Sequence, residues 1–297
     1  MPIRYFNRYT AKLETERIYG EAFLRWAYET PFGRLSVETL AKRACFSRWY
    51  GWRMSRPASR KKIVPFIKNY GVDVSEFFHS IEYFASFNDF FYRALKSDAR
   101  PIHPEANTAI FPADGRHLGF QNLAKIDSVF VKGQGFDLLA LLADKKLARN
   151  YENGTLVLSR LCPVDYHRFH FPVSGLPRHP RLINGHLYSV SPIALRRNLR
   201  FLIENKRMLT LLQSSDFGTV LLIEIGATNV GSIIQKFHPG QPVEKGAEKG
   251  LFQFGGSAVI TLFEAGRITL AEDLLQYSEK GLELYARMGD LLGTKAP

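Results

Sequence analysis

Hydrophobic and polar positions change their period near residue 100. Before it, apolar residues recur at helical spacing. In YGEAFLRWAYETPFG, Ala22, Phe23, Trp26 and Ala27 make one stripe, and KKIVPFIKNYGVDVSEF and YFASFNDFFYRAL repeat the pattern. SDARPIHPEAN reads as a proline-bearing linker. Short apolar runs bounded by Gly, Pro and Asn follow: AIFPADGRHLGF, SVFVKGQG, GTLVLSRLCP, YHRFHFPVSG, GTVLLIEIGA, GSIIQKF and LFQFGGSAVITLF. Such runs predict strands. Only FDLLALLADKKLARNY and ALRRNLRFLIENKRML read as helices in this half, and LAEDLLQYSEKGLELYARMGDLL reads as a closing amphipathic helix. The predicted class is α+β, a helical part over 1–75 and a mainly antiparallel barrel or sandwich-like core over 76–297.

Charge changes that picture in the first quarter. The chain of 297 residues carries a net charge of +12, and residues 1–70 hold 15 Lys and Arg against 5 Glu, a surplus of +10. Trp26, Trp49 and Trp52, the three tryptophans of the chain, lie there too. Amphipathic rings beside cations favour the interface of an anionic bilayer over a nucleic acid. The N-terminal part is therefore expected to dock on a membrane surface, against the alternative that its stripe packs on the protein body. No apolar h-region opens the chain and no run approaches membrane-spanning length, so the contact is expected to be peripheral. Cys45 and Cys162 lack metal or redox spacing and are expected to be buried thiols.

Three segments carry candidate chemistry. In CPVDYHRFHFP, Asp165, His167 and His170 cluster between prolines. In a regular strand Asp165 and His167 share a face and His170 takes the other, so both histidines serve one site only if the chain bends. A metal site is one reading, but no second ligand cluster accompanies it, and none is expected. Asp114 precedes Gly115, as in an ordinary turn. Gly255 and Gly256 interrupt a strand just before Ser257, where glycine weakens a strand and marks a bulge or a close backbone approach. An Asp, a His and a Ser on separate segments can form a nucleophilic triad, although Ser257 lacks the strand-turn-helix setting of a hydrolase elbow.

Together the segments resemble the phosphatidylserine decarboxylase family over roughly residues 60–265. The stretches that carry the resemblance are FNDFFYRALKSDARPI, FPADGR, VKGQGFDLLALL, NGTLVLSRLCPVDYHRFHFPVSG, IGATNVGSI and KGAEKGLFQFGGSAVITLF. The cleavage motif stands here as Phe254-Gly255-Gly256-Ser257, with Ala258 where the family often has threonine.

The resemblance implies an enzyme that makes its own cofactor. Ser257 would attack the carbonyl of Gly256, and elimination and hydrolysis would leave a pyruvoyl group at residue 257. The products would be a β chain, 1–256, and an α chain, 257–297, held as a heterodimer, with a homodimer of that unit left open. His170 oriented by Asp114 is the expected base for cleavage. His167, with Asp165 to orient it, is expected to act in decarboxylation, with an exchange of roles between the two histidines left open. The pyruvoyl carbonyl would form a Schiff base with phosphatidylserine and release CO2 to give phosphatidylethanolamine. The expected partners are that lipid and the anionic cytoplasmic face of the inner membrane, with no nucleic acid. Removing residues 1–60 is expected to spare cleavage and weaken membrane binding. Rival readings are a catalytically silent lipid-binding relative, a pyruvoyl decarboxylase of a soluble amino acid, and a lipoyl or biotinyl carrier. The last lacks its Met-Lys-Met or Asp-Lys-Ala turn.

Overall fold

The computed structural model describes residues 2–124, 137–228, 233–255 and 257–297. The predicted strand SVFVKGQG, residues 229–232 of IGATNVGSI, and Gly256 lie outside them. In chain order the strands are Arg4–Asn7 (β1), Lys12–Thr15 (β2), Thr108–Ile110 (β3), Gly115–Phe120 (β4), Thr155–Leu161 (β5), Arg168–His170 (β6), Leu176–Pro177 (β7) and Arg181–Ile183 (β8). Then come Arg207–Ser214 (β9), Gly218–Ile225 (β10), Ile233–Gln235 (β11), Glu248–Phe252 (β12), Ser257–Phe263 (β13), Ile268–Leu270 (β14), Glu283–Ala286 (β15) and Leu291–Lys295 (β16). The helices are Glu21–Glu29 (α1), Pro31–Ser36 (α2), Ala44–Met54 (α3), Ile63–Tyr70 (α4), Phe87–Phe91 (α5), Leu138–Leu142 (α6), Lys145–Tyr151 (α7), Pro192–Leu195 (α8), Arg200–Glu204 (α9) and Glu272–Glu279 (α10).

The main sheet runs β2-β1-β15-β4-β5-β13-β10-β9-β7, with β8 also on β9, and two small sheets run β11-β12-β6 and β14-β16-β3. Pairing is antiparallel except between β1 and β15. The described pairings do not close the main sheet into the expected barrel. Every residue of β5 and β13 is buried, as their largely apolar sequences require of strands covered on both faces. Leu156, Leu158, Ala258, Ile260 and Leu262 fill one side, and Val157 and Phe263 the other. Alternation places Ser257 with Val259, Thr261 and Phe263. A fully buried ion pair, Lys249 Nζ to Glu224 at 2.8 Å, ties β12 of a small sheet to β10 of the main one.

Two sequence expectations change at the chain ends. Residues 4–15 form a hairpin, not a helix, because β15 offers β1 a strand edge and Arg8 pairs with Asp273 at 2.7 Å. Removing residues 1–60 would therefore strip two strands from the sheet and leave Arg160 without Glu16, its partner at 2.6 Å. The expected closing helix stops at Glu279. Gly281 follows with φ of 66°, a conformation suited to glycine, and the rest returns as β15 and β16. The segment ALRRNLRFLIENKRML likewise ends as α8 and α9, with β9 starting at Arg207.

Between the N-terminal helices and the sheet lies an aromatic cluster of Phe66, Phe87, Phe90, Phe91 and Phe254. The stripe on α1 divides. Ala27 is buried, whereas Ala22, Phe23 and Trp26 face outward. Cys45 is exposed, against expectation, while Cys162 is buried, and both are free thiols. Among the described residues no helix is long and apolar enough to cross a membrane.

Candidate active site

Ser257 opens β13, fully buried, opposite Leu161 at the end of β5. The chain leaving β5 makes a closed turn that brings His167 back to this serine. The Cys162 N–H donates to Asp165 Oδ2 at 2.6 Å, and the Asp165 N–H donates to the Cys162 carbonyl at 2.9 Å. Arg116 Nη1 locks the same carboxylate at 2.7 and 2.5 Å. Asp165 thus shapes the turn and does not touch His167. The expected orienting carboxylate is replaced by a backbone group.

That group is the Cys162 carbonyl, 2.8 Å from His167 Nε2. A carbonyl only accepts, so Nε2 carries the hydrogen and Nδ1 keeps its lone pair. Nδ1 faces Ser257 Oγ at 3.5 Å. The Phe91 ring stacks on the imidazole at 3.8 Å between centroids. Burial, helped by the charge of Arg93 and opposed by the carbonyl, pushes His167 down to about 3. The ring is neutral and basic in form at physiological pH.

His170 sits elsewhere than the sequence suggests. Its Nδ1 lies 2.9 Å from the Gly246 carbonyl, which leaves the lone pair on Nε2. That Nε2 is buried with no hydrogen-bond partner among the described residues. Burial lowers its basicity. Asp114 does not bond to His170. Its carboxylate accepts Arg100 Nε at 2.9 and 3.0 Å, Arg100 Nη2 at 2.6 Å, and the Met288 N–H at 2.9 Å. The negative charge of Asp114 reaches His170 only through space. So among the described residues the histidine in contact with Ser257 is His167, the reverse of the expected pairing. The reason is the turn. β6 begins at Arg168, so His167 precedes the strand and escapes its alternation.

The glycines have distinct reasons. Gly255 has φ of 139°, which side chains rarely adopt, two residues before the serine. At Gly115, after Asp114, an added Cβ would lie 2.6 Å from the Arg160 carbonyl. Beside Gly255 opens a mainly apolar cavity of about 620 Å³, walled by Tyr19, Phe23, Leu24, Phe46, Tyr50 and Phe254, with Cys162 at its inner side. Ser257, His167, His170, Asp114 and Asp165 are not among the residues lining this cavity or two further clefts of similar size, and the link to the site is Gly255. Arg160 and Glu16 line the polar wall, and although burial disfavours its charge, Arg160 holds Glu16 down to about 2. No group of three His, Cys, Asp or Glu side chains that could hold a metal occurs among the described residues.

Sequence reasoning left four supporting side chains without a role. Asn88 accepts the Phe254 N–H at 2.8 Å, Phe91 covers His167, Arg100 holds Asp114 and Arg116 holds Asp165. Asn88, Phe91 and Arg100 stand in FNDFFYRALKSDARPI, a stretch whose likeness to the family is the only advance signal for them.

Three buried imidazoles also set an acid limit. His117 and His167 are both pushed down to about 3, chiefly by burial, and His170 is lowered too. An unfolded histidine protonates near pH 6.5, so the unfolded chain binds more protons between about 6.5 and 3. Stability is full above that window and falls as pH drops through it. At pH 5 His117 and His167 should each cost about 2 kcal/mol. Urea midpoints at pH 7.5 and pH 5 check this, and equal midpoints would contradict it.

A buried serine opening a central strand, a neutral imidazole at its hydroxyl, a glycine at positive φ two residues ahead of it and an apolar cavity beside that glycine define a serine-centred site. Residues 87–294 match the phosphatidylserine decarboxylase family. The chain is 43% identical over 293 residues to the phosphatidylserine decarboxylase proenzyme of Fusobacterium nucleatum, covering 99% of this chain and 98% of that one. It is 45% identical over 291 residues to the proenzyme of the same name from Chlamydia trachomatis, 98% and 97% covered, and 42% identical over 293 residues to that of Desulfitobacterium hafniense, 99% and 98% covered. The chain belongs to the phosphatidylserine decarboxylase family.

Proposed function

We propose that the chain is a self-processing phosphatidylserine decarboxylase. The carrying observation is the Ser257 hydroxyl, buried 3.5 Å from the basic nitrogen of a neutral histidine and two residues after a glycine with φ of 139°. A serine hydroxyl needs such a base to act as a nucleophile. The proposed cut falls between Gly256 and Ser257, giving a β chain of 1–256 and an α chain of 257–297, and leaves a pyruvoyl group at residue 257.

The residues present suit that group. It would stand two residues beyond Gly255, which lines the apolar cavity, with His167 as its neighbour. When formed, it supplies an electron-withdrawing carbonyl that draws off the electrons left as CO2 departs. Nδ1 of His167 takes the proton that the incoming ammonium must lose and returns it to the carbon that has lost CO2. The water-poor walls favour departure of a carboxylate, whose charge spreads in the transition state. The family resemblance assigns the base for cleavage to His170, whose buried Nε2 has no hydrogen-bond partner among the described residues but which does not contact Ser257. A second reading gives both steps to His167, favoured by its contact with Ser257.

Intact mass of the purified wild-type protein tests the proposal. Two chains cut before residue 257, the smaller without a free amine, together with CO2 release from phosphatidylserine vesicles, are expected. One whole chain would leave the silent lipid-binding rival. CO2 from a free amino acid in place of the lipid would favour the soluble-substrate rival.

The N-terminal region is the proposed membrane contact, on the cytoplasmic face of the inner membrane. Phe23, Trp49 and Trp52 are exposed, Phe32 is 81% exposed, and Arg56 lies 4.6 Å from the Trp52 ring. Phe23 is both exposed and part of the cavity wall, so the cavity opens towards this aromatic surface. Replacing Trp49 and Trp52 with serine should weaken binding to phosphatidylserine vesicles roughly tenfold or more while chain cutting proceeds. Unchanged vesicle partitioning would move the contact elsewhere.

A further inference from the structure

Lys249 has no role in the chemistry above, yet its placement is unusual. It is 1% exposed, and its Nζ lies 5.5, 6.0 and 5.1 Å from the rings of Phe169, Phe171 and Phe237. An ammonium buried among rings is costly unless an anion meets it. That anion is Glu224 of β10, also fully buried, whose Oε1 lies 2.8 Å from Nζ. Oε1 takes no aligned hydrogen bond among the described residues, so the attraction there is one of charge. Gln235 of β11 bridges the pair. Its Oε1 accepts from Lys249 Nζ at 2.8 Å, and its Nε2 donates to Glu224 Oε2 at 2.7 Å. Apolar residues of similar volume would fill this place with no ion to desolvate, so stability alone does not account for the pair.

Its position supplies another reason. Between the pairs Glu248–His170 and Gly250–Phe169 of the β6–β12 ladder, β12 carries one extra residue, and that residue is Lys249. A bulge of this kind re-aims a side chain, and here it sends Lys249 from the small sheet to Glu224 on the main one. Across the β10–β13 ladder Glu224 faces Val259, which shares a face of β13 with Ser257. Residues 249 and 259 therefore both meet Glu224, the first through its side chain and the second through strand pairing. Between them stand Gly255, with φ of 139°, and Ser257. Glu224 thus holds both arms of the loop in which the proposed cut falls.

We propose that Lys249 and Glu224 are positioning residues for self-cleavage, fixing the two arms of that loop at the spacing from which Ser257 can attack. In that step the bond from Oγ to the preceding carbonyl carbon forms and the bond from that carbon to nitrogen breaks. The hydroxyl proton ends on the freed nitrogen. Once the chain is cut the loop is open and its spacing is no longer needed. Residue 257 then keeps its place through the pairing of β13 with β5, and the His167 ring through the Cys162 carbonyl.

The inference rests on the proposed cut, and its test separates the two. Lys249→Met combined with Glu224→Gln removes both charges and leaves the Gln235 amide a hydrogen-bonding partner. In the uncut Ser257→Ala background the double variant should melt within about 3 °C of its parent. With Ser257 present, cutting followed by intact mass should slow roughly tenfold to a hundredfold. CO2 release from phosphatidylserine vesicles, counted per cut chain, should stay close to the wild-type value. Cutting at the wild-type rate overturns the assignment. Equal losses of cutting and of turnover per cut chain also overturn it, since a merely structural pair would produce them. If the double variant fails to fold, Glu224→Asp decides, because it keeps both charges and shortens the reach of the carboxylate by one carbon. Slower cutting with turnover per cut chain retained is expected, and wild-type cutting overturns the assignment. A wild-type chain that stays whole sinks the function and the inference together; a double variant that cuts normally sinks the inference alone.

Discussion

Ser257→Ala is expected to leave a single chain of 297 residues with no decarboxylase activity above background. The substitution removes one hydroxyl from a site where its contact is a long one, 3.5 Å to His167. The rest of β13 keeps its pairing with β5 and β10. Stability should therefore change by less than about 1 kcal/mol, the typical worth of one hydrogen bond. Loss of function and retention of fold would come apart cleanly. Mass spectrometry reports the cut, CO2 release reports turnover, and a urea titration reports the fold. A Ser257→Ala protein that still releases CO2 from phosphatidylserine would remove residue 257 from the chemistry altogether. Ser257→Thr keeps the hydroxyl but adds a methyl at a fully buried position, so cutting should slow without disappearing.

How much of this was readable in the chain depends on where each element finds its partners. β5 and β13 are legible because both faces are covered, so apolar residues stand on both sides of each strand. β1 and β2 are not. RYFN and KLET are polar and four residues long, and what makes them strands is an edge of β15 nearly the whole chain away. The C-terminal misreading has a local cause. Leu274, Leu275, Tyr277, Leu282 and Leu284 suit a helix as well as a helix followed by a strand, and the punctuation that decides is Gly281 and Gly289, both at positive φ. Glycine spacing could have exposed that boundary.

The site divides in the same way. Ser257, His167, His170, Asp114 and Asp165 were all visible as residue types in suggestive stretches, and the family likeness drew them together. Their partners were not visible. That Asp114 belongs to Arg100, that Asp165 closes its own turn, and that a carbonyl and not a carboxylate holds His167 depend on side-chain geometry over 14, 3 and 5 residues respectively. Contact between His167 and Ser257 spans 90 residues. Residue type announced the chemistry, while three-dimensional placement assigned the neighbours.

The second large effect separates the two histidines. His170→Asn should stop the cut, leaving whole chain as the product of expression. His167→Asn should allow the cut and lower decarboxylation by about 10²–10⁴-fold, the usual range for a lost proton-transfer group. The physical ground is that both rings are neutral but differently committed. His167 has Nε2 tied to Cys162 and Nδ1 aimed at residue 257, so in the mature protein it remains beside the atom that reacts. His170 has a buried Nε2 with no hydrogen-bond partner among the described residues, and the family resemblance makes it the base for the cut. Measuring the fraction cut by intact mass, and turnover only on the cut fraction, keeps the two steps apart. If His167→Asn leaves the chain whole while His170→Asn cuts normally, the 3.5 Å contact is the cleavage geometry itself, one imidazole serves both steps, and Asp114 reverts to an anchor for Arg100.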